Sequence, residues 1–246
     1  MQAKLAPNFK GALMETVRHH LHAITLIALM WPVASMAQAC GIALALAVDV
    51  SGSVDDREYD LQMGGLAAAL RDGLVADALI AEEAAVMVVL WSGSSRQTVV
   101  VDWQRLASPS DVEHFARAVE TVPRQWRNFS TGIGEALIFT ANRFAPVADC
   151  TRRVIDVSGD GTSNEGAPPE EIKEILAAAG YVINGLSIEG ETAQLTEYYR
   201  KNVIAGPNAF VLPAFGFSDY PEKIRRKLIR EVNKQLARGS ETREDG

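Results

Sequence analysis

From residue 41 onward the chain alternates apolar runs with segments whose apolar positions recur every three or four residues. GIALALAV (41–48) is almost wholly apolar, as a strand covered on both faces must be. The next segment, 55–75, places Leu61, Met63, Leu66, Leu70 and Leu74 at helical spacing. Two strand-like runs follow at 84–93 and 97–104 with only SSR between them, which permits only an antiparallel pair, because a parallel return needs a crossover of about a dozen residues. Helices are predicted over 108–122, with Ser110 as its N-cap, and over 131–147. The alternation continues with a strand at 151–160, a helix at 168–180 closed by Gly180, a strand at 181–190 and a helix at 191–203. A strand at 209–215 and an amphipathic helix at 220–237 complete it. The predicted fold class is therefore α/β: a doubly wound, mostly parallel six-stranded sheet, Rossmann-like, with one antiparallel edge strand and helices on both faces. In such sheets ligands gather beyond the carboxyl ends of the strands, where the winding reverses.

The first 39 residues follow a different pattern. Lys4, Lys10 and Arg18 precede AITLIALMWPVASMAQA (23–39), which ends in the small-x-small triplet Ala37-Gln38-Ala39. This is the layout of an export signal cleaved before Cys40. A membrane span needs about 20 apolar residues, and this stretch is shorter and contains Pro32. Met14 opens an equally complete leader, and Cys40 can also be read as a lipid-anchored residue. The organisation expected is a signal peptide (1–39), one domain (40–238) and a polar tail (239–246), placing the mature protein in the periplasm or outside the cell with no transmembrane span. A formal net charge of −7 excludes a phosphate-backbone partner, since nucleic-acid binding draws on a basic footprint. Export also removes His19, His20 and His22, leaving His114 as the single histidine, which weakens any Ser-His-Asp or histidine-rich zinc chemistry.

Chemistry concentrates at strand ends. In ALAVDVSGS the residues Asp49, Ser51 and Ser53 stand at i, i+2 and i+4, so their oxygens can turn toward one point if the chain stays extended. A hard cation suits that point, although Ser, Gly and Asp are also ordinary turn residues. RVIDVSGD repeats the design and ends in Asp160. Asp156, inside that strand, reads as structural. DVSGDGTSN fails as a calcium loop because its twelfth position is Ala167, and WSGSSR is followed by a strand rather than the helix of a nucleophile elbow.

DVSGS (49–53) matches the Asp-x-Ser-x-Ser motif of von Willebrand factor type A domains, STGIGEAL (130–137) resembles their threonine loop, and SGDGTSN (158–164) resembles their third loop. The likeness covers about residues 41–238 and is greatest to a bacterial family of exported single-domain proteins of uncharacterised function. It implies a metal-ion-dependent adhesion site with Ser51, Ser53 and Thr131 as neutral ligands and Asp49 and Asp160 binding directly or through water. Gly159 stands where the pattern usually has threonine. The implied ion is Mg²⁺, with Mn²⁺ or Ca²⁺ equally acceptable to hydroxyl and carboxylate oxygens. Such a donor set quenches the ion's charge only in part, so an open position can take an Asp or Glu carboxylate from a partner protein. Trp126, Arg127 and Phe129, just ahead of Thr131, and the 161–170 loop are candidate rim contacts, with a weaker claim for Phe215 and Phe217. If the strands after Cys40 and Cys150 are neighbours, as in the family resembled, the two sulfurs can approach bonding distance, and export favours the disulfide; two buried thiols are the alternative. The function expected is a non-enzymatic binding module. The alternatives are a metal-assisted hydrolase in which Asp49 or Asp160 activates water, and a structural domain with an unused site.

Overall fold

Every residue of the first strand, β1 (Ile42–Asp49), is buried, which puts this run in the middle of a sheet. The computed structural model describes residues 40–190 and 194–232. The predicted export signal, the polar tail and the end of the predicted last helix lie outside the described residues. The remaining strands are β2 (Ala85–Trp91), β3 (Gln97–Arg105), β4 (Arg152–Gly159), β5 (Tyr181–Glu189) and β6 (Val211–Phe215). They form one six-stranded sheet in the order β3-β2-β1-β4-β5-β6. All pairs are parallel except β2–β3, so the one antiparallel strand lies at an edge. The winding reverses between β1 and β4, and the carboxyl ends of those two neighbours carry Asp49 and Asp160.

Alternation along β1 divides the two faces. Ile42, Leu44, Leu46 and Val48 point into a core with α1 (Asp56–Arg71), α2 (Gly73–Ala81), α3 (Pro109–Glu120) and α7 (Tyr220–Val232). Ala43, Ala45 and Ala47 face the opposite core, built with α4 (Ile133–Ala141), α5 (Pro169–Ala178) and α6 (Gln194–Asn202).

Three predicted boundaries are corrected. The helix expected over 55–75 is two helices, because the Asp72 carboxylate turns back to accept hydrogen bonds from the Leu74 and Val75 amides, capping α2 where α1 ends. Leu74 is consequently exposed rather than part of the apolar stripe. The N-cap of α3 is Ser108, not Ser110: its Oγ accepts from the Asp111 amide and Pro109 occupies the first helical turn. The segment 131–147 is α4 followed by a separate 3₁₀ turn at Ala145–Val147.

Cys40 and Cys150 lie at the amino ends of β1 and β4 and form a disulfide, with Cα atoms 4.4 Å apart. The two ends are also joined by a hydrogen bond from the Thr151 amide to the Cys40 carbonyl.

Asp156 is part of a cluster the sequence did not announce. On α7 the buried stripe Tyr220, Ile224, Lys227, Leu228, Glu231 includes two charged residues. Lys227 Nζ lies 2.5 Å from Asp156 Oδ2 and 2.7 Å from Glu231 Oε1, and all three side chains are buried. Asn184 Nδ2 donates to Glu231 Oε1 at 3.0 Å, and its Oδ1 accepts from the Phe210 amide.

Candidate metal centre

Three loops meet beyond the carboxyl ends of β1 and β4. Leaving β1, the chain turns so that the Ser51 amide donates to Asp49 Oδ1 at 2.7 Å, which fixes the carboxylate against its own loop. Ser51 Oγ stands 3.4 Å from Ser53 Oγ, and Ser53 Oγ donates to Asp160 Oδ1 at 2.8 Å. The first and third loops therefore already touch through their oxygens. Thr131 Oγ1 faces Gly161, lying 3.5 Å from where a Cβ on that glycine would stand. The threonine loop is laced to the third loop: the Thr131 amide donates to Asn164 Oδ1, the Asn164 amide to the Thr131 carbonyl, and the Ile133 amide to Ser163 Oγ. Asp49, Ser51, Ser53, Thr131 and Asp160 are thus all placed at one end of the sheet.

Asp49 is fully buried, and its Oδ2 has no hydrogen-bond partner among the described residues. Burial, and then the negative charge of Asp160, push the Asp49 carboxyl up to about 8 against a smaller pull from the Ser51 amide. Burial also raises Asp160. Two carboxyls that both resist ionisation, with hydroxyl oxygens around them, make a site that a divalent cation would relieve and that fits a hard ion. Among the described residues no group of three or more His, Cys, Asp and Glu side chains is placed to hold a metal; this centre is of another kind, two carboxylates with three hydroxyls.

A pH dependence follows. Between about pH 4 and the Asp49 value of about 8, the folded metal-free protein holds a proton that the unfolded chain releases, so stability falls as pH rises through that window. With chelator present, the thermal midpoint should be lower at about pH 8 than at about pH 5, and Asp49→Asn should flatten the slope. An unchanged slope in Asp49→Asn would refute the assignment to this carboxyl.

The candidate rim residues lie in different settings. Trp126 is half-buried and packs against the core. Arg127 is exposed and pairs with Asp56. Phe129 is 39% exposed, lies under the Arg96 guanidinium at 3.5 Å from its ring centroid, and its carbonyl accepts from the Gly52 amide at 2.8 Å, so it borders the first loop. Phe215 is exposed at the end of β6, whereas Phe217 is buried in the core. Within the 161–170 loop, residues 163–170 line a cleft of about 430 Å³ with Tyr198 and Asn202. Arg124 was missed. Its nearly buried guanidinium donates to the Ser51, Val54 and Trp126 carbonyls and pairs with Asp56, bracing the first loop. The only sequence signal was an arginine beside Pro123, in a segment without periodicity. His114 is exposed in the middle of α3.

The model of a family described as protein of unknown function (DUF1194) matches residues 39–236. The chain belongs to this family. No curated protein matches it. The fold of this DUF1194 chain is the von Willebrand factor A type, as three solved structures show. It is similar to proximal thread matrix protein 1 from the mussel byssus with a zinc-occupied MIDAS motif (17% identity, TM-score 0.59, 79% of this chain and 46% of that one). It is also similar to a von Willebrand factor type A protein from Catenulispora acidiphila (17%, TM-score 0.56, 79% and 43%). BatB from Bacteroides thetaiotaomicron is matched over its whole length (16%, TM-score 0.52, 79% and 100%). The DUF1194 chain spans less than half of the first two proteins. Among its described residues no helix is long and apolar enough to cross a membrane.

Proposed function

We propose that this protein is a divalent-metal-dependent protein-binding module acting outside the cytoplasm, and that it is not an enzyme. The observation that carries this reading is the buried Asp49 carboxylate: one oxygen is held by its own loop, and the other has no protein partner among the described residues. Asp160, Ser51, Ser53 and Thr131 are gathered at the same loop end. A hard cation there supplies a positive centre with an exchangeable position, the chemistry that takes a carboxylate. Asp49 and Asp160 would hold the charge, and Ser51, Ser53 and Thr131 would contribute neutral oxygens. Phe129, whose carbonyl borders the first loop, and the 161–170 loop, which follows Asp160, offer side chains that can select among Asp- or Glu-bearing partners. Mg²⁺ or Mn²⁺ fits the donor set, and the zinc reported in the byssus protein belongs to a solved structure of the same fold. The disulfide is in keeping with export by the predicted signal.

Titration calorimetry tests the metal. Asp160→Ala should lower Mg²⁺ or Mn²⁺ affinity beyond the about 10–100-fold loss typical of supporting residues, with the thermal midpoint of the metal-free protein retained. Equal affinity in wild type and the Asp49→Ala/Asp160→Ala double variant would sink the assignment. Capture of partners from an extracytoplasmic extract should depend on Mg²⁺ and be lost in Asp160→Ala; metal-dependent turnover by the isolated protein would favour the hydrolase instead.

A further inference from the structure

Tyr199 on α6 is fully buried, and its hydroxyl has no hydrogen-bond partner among the described residues. Two glycines make room for it. A Cβ on Gly185 of β5 would stand 2.8 Å from Tyr199 Cδ1, and one on Gly159 of β4 would stand 2.7 Å from Tyr199 Oη. Both glycines occupy strand positions where a side chain would otherwise enter this face of the sheet. The same imaginary Cβ on Gly159 lies 2.8 Å from Asp49 Oδ2. The unpartnered phenol and the unpartnered carboxylate oxygen therefore flank one point, the place of the side chain that Gly159 lacks.

Packing alone does not account for this. Phenylalanine would fill the same space without burying a polar group whose hydrogen bond is missing. The ring is also placed firmly: the Glu189 carboxylate, at the end of β5, accepts from the Leu195 and Thr196 amides and anchors the start of α6.

We propose that Tyr199 is a positioning residue of the metal centre, its phenol donating a hydrogen bond to Asp49 Oδ2, directly or through one water, and holding that carboxylate in its ligating orientation. The inference rests on the metal-binding reading above. Gly159, where the resembled third loop carries threonine, is then the opening that lets a hydroxyl from α6 reach Asp49.

The test compares wild type, Tyr199→Phe and Asp160→Ala by Mn²⁺ titration followed by electron paramagnetic resonance, with the metal-free thermal midpoint of each. Tyr199→Phe should keep or raise that midpoint and lose about 10-fold or more in Mn²⁺ affinity. A second readout needs no variant: Mg²⁺ should perturb the near-ultraviolet tyrosine band of wild type, and that change should be absent from Tyr199→Phe. Mn²⁺ binding that is lost in Asp160→Ala but unaltered in Tyr199→Phe overturns the tyrosine role and leaves the metal site standing. No Mn²⁺ binding by wild type overturns both. Should Tyr199→Phe not fold, a wild-type tyrosine band indifferent to Mg²⁺ overturns the proposal by itself.

Discussion

Replacing Lys227 with alanine is expected to destabilise the protein by about 3–5 kcal/mol, the cost of leaving buried charge without its partner. Lys227 is the cation between Asp156 and Glu231, and none of the three has appreciable access to solvent. Burial and the Glu231 charge already push the Asp156 carboxyl up against the lowering influence of Lys227, so losing the ammonium forces protonation or water entry. Urea unfolding reads the effect as a lower midpoint. Replacing all three by apolar residues of similar volume should recover most of the loss, because a buried ion cluster contributes little beyond what good packing gives. A Lys227→Ala protein within about 1 kcal/mol of wild type would mean that water reaches the cluster in solution.

Removing the disulfide with Cys40→Ala/Cys150→Ala should cost about 2–5 kcal/mol, since the bridge closes a loop of 110 residues and restrains the unfolded chain accordingly. The comparison is denaturant unfolding of the oxidised protein against the double variant. Equal midpoints would show that the unfolded chain is already held compact by other contacts. Reduction should leave the loops of the candidate centre formed in whatever fraction remains folded, because the bridge lies at the opposite end of the strands from Asp49 and Asp160.

Much of this architecture could be read from the sequence, because its central strands are apolar on both faces and cannot be mistaken for surface. The three-residue SSR connection fixed the antiparallel pairing of β2 and β3 in the same way. What escaped was local polar competition and tertiary placement. The apolar pattern runs straight through Asp72, and only the direction its carboxylate takes ends one helix and starts the next. Ser108 and Ser110 are chemically identical as caps, and the choice between them follows from Pro109 fitting the first turn. Lys227 and Glu231, four apart on an amphipathic helix, have the spacing of a solvent-exposed pair; nothing nearby in the chain indicates that Asp156, a strand residue far upstream, lies opposite. At the candidate centre the loops announce themselves by motif, so the gathering of Asp49, Ser51, Ser53, Thr131 and Asp160 at one end of the sheet could be read beforehand. Their neighbours could not. Arg124 and Tyr199 belong to no motif, and only the fold brings them beside these loops.

The position of the disulfide has a mechanical consequence. A load borne unequally by Asp49 and Asp160 would pull one of β1 and β4 harder than the other, along strands paired in register from Ile42 with Arg152 to Val48 with Ser158. Tension of that kind works to slide one strand past the other by shearing the ladder between them. The Cys40–Cys150 bridge clamps the far ends of those same two strands, so any slip must stretch covalent bonds rather than part a row of hydrogen bonds. The central pair is thus tied covalently at one end and carries the candidate centre at the other.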